Sequence, residues 1–164
     1  EKTEYLDFKG TFDYTISYSA VLGGKGGGSP DPVSIPTAWL FAEFSKGTLD
    51  TYGTAYDYGV SADADQLQNA IWYLEDEIAE PGTSTLAYAL IQLAYKQSGK
   101  NKSYNASGEY GVYVINPTWR QNSYGLAVGS PAQSVLAIPD GGATLALMGL
   151  SLGGLAFFAR RKST

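Results

Sequence analysis

Residues 141–159 read GGATLALMGLSLGGLAFFA, nineteen consecutive positions without a charge, and Arg160, Arg161 and Lys162 follow at once. No other segment restricts the chain so strongly. As a helix it spans roughly 28 Å at about 1.5 Å per residue, near the thickness of one hydrocarbon core and at the short end of the membrane-spanning range. The basic triplet acts as a stop under the positive-inside rule, which places the C-terminus in the cytoplasm and the preceding body outside. Leu145, Leu147, Met148, Leu150, Leu152, Leu155, Phe157 and Phe158 would bury roughly 12–24 kcal/mol of apolar side chain as an upper bound, from which the cost of association is subtracted. Such a rod is expected in lipid or against copies of itself. Gly149 and Gly153 form a small-residue G-x-x-x-G pair, which permits close helix packing and also occurs in plain lipid-facing anchors. The chain opens on Glu1 instead of Met, as expected after removal of an export signal. The expected organisation is an extracellular body over 1–137, then an anchoring segment over 138–164 with a hydrophobic helix at 143–159.

Ile138-Pro139-Asp140-Gly141-Gly142, the short apolar span and the basic end together resemble a PEP-CTERM-type sorting signal, nearest the variant built on Val-Pro-Asp-Ser-Gly. Ile replaces Val, and Gly141 replaces Ser. The resemblance implies export, transient anchoring in the inner membrane, and processing near Pro139, Asp140, Gly141 and Gly142 by an exosortase-type enzyme. It further implies a surface or extracellular-matrix destination in a Gram-negative bacterium.

Composition narrows the rest. The chain has no Cys and no His, so a disulfide framework, thiol catalysis, Cys/His zinc sites and a Ser-His-Asp triad are excluded. The net charge of −5 hides a more acidic body: residues 1–139 hold 8 basic and 15 acidic side chains, which disfavours nucleic acid and anionic lipid as partners. Glycine is abundant, at 20 of 164 residues, and 13 of the aromatic residues are Tyr.

Periodicity places the elements. Residues 12–18 alternate, with Phe12, Tyr14, Ile16 and Tyr18 on one face, and predict a half-buried strand. Residues 3–9 suggest a partner strand across Gly10-Thr11. Residues 23–32 read as a loop without a phosphate-loop pattern. A helix is expected from Pro36 to Lys46, capped by Gly47. A second is expected from near Asp63, with Asp63 and Gln66 resembling a capping box and Glu80-Pro81-Gly82 as the stop. Its buried stripe would be Leu67, Ala70, Ile71, Leu74 and Ile78. A third is expected over about 84–98, and strands over 110–115, 124–128 and 133–138. Strands at both ends of the body would thus bracket a three-helix middle, an α+β fold, with the C-terminal hydrophobic helix beyond.

The chemistry-bearing candidates are few. Gln68-Asn69-Ala70-Ile71-Trp72 is similar to the Gln-x-Ala-Ile-Trp signature of thioester adhesin domains, with Thr37-Ala38-Trp39-Leu40 near the place of that family's Cys. The resemblance over 36–78 implies such a fold with its reactive bond absent, since Gln68 has no thiol partner. An ordinary amphipathic helix is the alternative. Asp63 and Asp65 are compatible with calcium or with plain helix capping. Glu75, Asp76, Glu77 and Glu80 read as a solvated helix end. No acid pair stands out for glycoside chemistry, so enzyme activity is not expected. Tyr and Trp could stack on sugars or build core and subunit contacts. The leading expectation is a non-enzymatic exported structural protein that assembles with itself into a filament, sheath or matrix. The alternative is a surface adhesin or carbohydrate-binding module. Neither reading requires a cofactor.

Overall fold

The computed structural model describes residues 11–21, 28–121, 129–132 and 134–139, and within them the fold is α+β, with three helices and antiparallel sheets. The expected strand over 3–9, the one over 124–128 and the tail helix over 143–159 lie outside the described residues.

The first helix, α1 (Ile35–Lys46), shows why the sequence folds as it does. Ser34 caps it, its Oγ accepting from the Thr37 N–H, and Pro36 occupies the first turn, where no N–H is needed. Gly47 closes it in the left-handed conformation at φ 71°, donating its N–H to Glu43 and Phe44 carbonyls. Both sides of α1 are buried. Trp39 and Leu40 join one core with Leu49, Tyr56, Leu67, Ala70, Leu74, Ala87, Leu90, Ile91 and Ala94. Ala38 and Ala42 join a second with Val33, Ala106, Val112 and Val114. This helix is the wall between a helical layer and a sheet, which explains its apolar residues on every side.

The helical layer is completed by α2 (Ser61–Leu74) and α3 (Leu86–Ser98), with Thr85 capping α3 and Gly99 ending it at φ 64°. Two expectations for α2 need correction. It starts two residues before Asp63, after Val60, and Asp63 is not its N-cap. It ends at Leu74, because Asp76 turns left-handed at φ 61°, so Ile78 lies outside the helix and is exposed. A 3-10 turn over Leu49–Tyr52 leads into the Tyr-rich loop between α1 and α2.

The sheet has the order β1 (Thr11–Ser17), β4 (Tyr113–Gln121), β5 (Val135–Ala137). A short ladder pairs β2 (Ser19–Ala20) with β3 (Asp31–Pro32), so the end of the expected 23–32 loop is paired backbone. The strand expected at 110–115 starts later and runs further, through Pro117, preceded by a 3-10 turn at Glu109–Gly111. Gly108 adopts φ 105°, and a Cβ there would stand 3.0 Å from the Tyr18 hydroxyl, so only glycine fits.

The inner face of the sheet, carrying Val114 and Leu136, packs toward α1. The expected burial of β1 is corrected in part: Phe12 packs on Trp119 with ring centroids 4.3 Å apart, but Tyr14 and Ile16 are 64% and 59% exposed. Ile138 packs against the sheet core, and Pro139 is exposed. Folded packing thus reaches Ile138, the first residue of the Ile-Pro-Asp-Gly-Gly motif. No helix among the described residues is long and apolar enough to cross a membrane, and the 141–159 span lies outside them.

Candidate functional site

The most concentrated chemistry lies where the end of α2 meets the start of α1. Ser34, almost fully buried, donates its N–H to Glu75 Oε1 at 3.1 Å. Its hydroxyl donates to Thr37 Oγ1 at 3.0 Å while accepting from the Thr37 N–H. Glu75 also hydrogen-bonds the Thr37 side chain. Burial pushes the Glu75 carboxyl above its ordinary pKa against the pull of these hydrogen bonds, and Asp31 adds repulsion. Asp31 is raised as well, by burial and then by Glu77 and Asp76. One cation enters the corner: Lys102 Nζ lies 2.5 Å from Asp76 Oδ1 and 4.1 Å from the Tyr73 ring centroid.

This corner corrects the reading of Glu75 as part of a solvated helix end: it is partly buried and bonded across the core. It also bears on the thioester-like segment. Gln68 lies within α2 and Glu75 is the residue that caps its end, seven positions on and roughly 10 Å further along. Glu75 is the one that reaches Thr37; Gln68 is exposed. The neighbouring Gln66 accepts from the Ala87 N–H and ties α2 to α3, instead of closing a capping box.

Asp63 accepts from the Asp57 N–H at 2.8 Å, and Asp57 accepts from the Gly59 N–H at 2.7 Å, so these acids shape the entry to α2. Asp65 is exposed, and among the described residues no group of three or more acids could hold a metal ion. Pro139 follows β5 on the surface, while Asp140, Gly141, Gly142, Gly149, Gly153, Arg160, Arg161 and Lys162 lie outside the described residues.

Two polar hubs carried no sequence signal. Asn116, deeply buried in β4, uses both ends of its amide: Oδ1 accepts from Val21 N and Ser134 Oγ, and Nδ2 donates to Ser17 Oγ and the Ser19 carbonyl. It fastens β4 to the β1–β2 bend and to the approach to β5. Glu43, buried in α1, accepts from Lys46 Nζ, Thr48 Oγ1 and Tyr52 Oη at 2.6, 2.7 and 2.9 Å. Burial opposes its charge, but these donors prevail and hold it below the usual glutamate range. Beside it, Tyr58 stacks on Phe44 with centroids 5.7 Å apart, and both Tyr52 and Tyr58 are exposed.

No protein-family profile matches the chain, and neither a curated protein nor a solved structure matches it. The functional reading therefore rests on the residues themselves.

Proposed function

We propose that the chain is a non-enzymatic, exported bacterial surface protein that assembles with itself into a filament, sheath or matrix through the apolar segment 143–159, after sorting by an exosortase-type enzyme. The observation that carries this reading is the order of parts along the chain. A folded α+β body packs as far as Ile138. Without a linker, the Pro-Asp-Gly-Gly motif, the uncharged span and the basic end then follow. The body would be the displayed part, and the tail would supply the hydrophobic drive for membrane residence and then for association. In this reading the corner at Glu75 and the hubs at Asn116 and Glu43 serve the scaffold, because their polar groups are spent on one another.

Negative-stain imaging of purified full-length chain tests the reading. It expects polymers, weakened when Gly149 and Gly153 are both changed to Leu; monodisperse particles that exist only in detergent would refute it. The alternative, a displayed carbohydrate-binding module, draws support from the exposed Tyr52 and Tyr58 rings set around Glu43. Glycan-array binding abolished by Tyr58→Ala would favour it.

A further inference from the structure

The three-stranded sheet is apolar on one face; on the other, Val114 and Leu136 stand beside the polar Asp13, Thr15, Ser17 and Asn116. Its inner face meets α1. On the outer face, the register aligns Ile16 with Ile115 and Ile115 with Val135, a row of β-branched side chains across all three strands. Ile16 is 59% exposed, Val135 38%, and Tyr14, next along β1, 64%. An antiparallel sheet with one solvated face ordinarily alternates apolar-in with polar-out. Here Pro117 and Trp119, further along the same face of β4, are already buried, and the end around Ile16, Ile115 and Val135 is the part left open among the described residues.

We propose that this outer face is the seat of the chain's own segment 143–159 before assembly. Three observations select that occupant. The chain leaves the sheet from β5, an edge strand among the described residues, from which either face can be reached. Only Pro139, Asp140, Gly141 and Gly142 separate Ile138 from the segment, a usual length for a strand-to-helix connection. As a helix, 143–159 measures roughly 26 Å, long enough to run back from β5 over the row at the Ile16 end of the face. Docking there hides the apolar segment from water. Release exposes it to lipid or to neighbouring copies. The inference rests on reading 143–159 as an apolar helix, as the proposed function does, and adds the site that holds it beforehand.

The chain has no cysteine, so an engineered pair reports cleanly. Ile16→Cys is combined in turn with a single Cys at each position from 146 to 155, in full-length protein refolded by dilution into detergent-free buffer and oxidised. Thr15→Cys, exposed on the opposite face, is the control. Ile16 is exposed enough for its substitution to spare the core. Docking predicts crosslinks within one chain at positions three or four apart, about tenfold above the control, given the millimolar effective concentration of a short tether. The oxidised protein should remain monomeric, then assemble when reductant is added. Crosslinks between chains only would overturn the inference while leaving self-assembly standing. No crosslinking above the control would also overturn it, leaving the face to residues 1–10 or a second copy. Crosslinks within one chain, without assembly after reduction, would uphold the docking site and refute the proposed function.

Discussion

Replacing Glu75 by Gln should stabilise the protein at neutral pH and not in acid. Burial raises the Glu75 carboxyl, and Asp31 contributes to the rise. The fold therefore favours the protonated form. That stability is fully present below the ordinary glutamate value of 4.5 and is lost as pH climbs through the higher folded value. Asp31, raised for similar reasons, acts in the same direction. At pH 7 the native protein holds a carboxylate where its surroundings resist one. Gln removes that charge and keeps an oxygen for the Ser34 N–H now bonded at 3.1 Å. Each tenfold displacement of a protonation equilibrium corresponds to about 1.4 kcal/mol, so a gain on the order of 1 kcal/mol is expected, or about 3–6 °C in Tm. Glu75→Ala separates charge from hydrogen bonding: it strands the Ser34 N–H at every pH and should cost about 1–3 kcal/mol in acid. Urea unfolding of the three proteins between pH 3.5 and 7.5 reads the difference. A Gln variant less stable than wild type at pH 7, or one whose gain grows toward acid, would refute the reasoning.

Other consequences follow from the hubs. Asn116→Ala strands partners on three segments and should cost about 2–4 kcal/mol in chemical denaturation. Gly108→Ala combines a disfavoured φ with a clash against Tyr18 and should lower Tm by several degrees, about 1–3 kcal/mol. Glu43 behaves oppositely to Glu75: its stabilisation is present above pH 4.5 and is lost as pH falls through its lowered folded value. Glu43→Gln should therefore destabilise the protein at neutral pH, with the deficit shrinking in acid melts.

The helices were legible because their punctuation is local: Gly47 and Gly99 end α1 and α3, and the apolar spacing between is helical. The cap and the end of α2 depart from the sequence reading for reasons outside its periodicity. Asp63 has the chemistry of a cap but reaches back to Asp57, and Ile78 continues the apolar spacing beyond a backbone that Asp76 has already turned. Strand β4 runs past the expected end at 115, through Pro117, a residue that sheet interiors disfavour. It is tolerated there while its carbonyl takes the Ala132 N–H. Alternation found β1 but could not say which face meets the core, since Tyr14 and Ile16 look inward by composition and point outward in the fold. The acidic corner was hidden because nothing local to Glu75 announces Ser34, 41 residues earlier in the chain.

The central claim is that a body packed as far as Ile138 is separable from the segment that decides what it associates with. Sedimentation velocity of two chains, one complete and one ending at Pro139, tests this most directly in detergent-free buffer. The account predicts that the shortened chain keeps the circular dichroism and unfolding midpoint of the body but sediments as a monomer, while the complete chain forms large species after release of its tail. Equal assembly by both chains would contradict it.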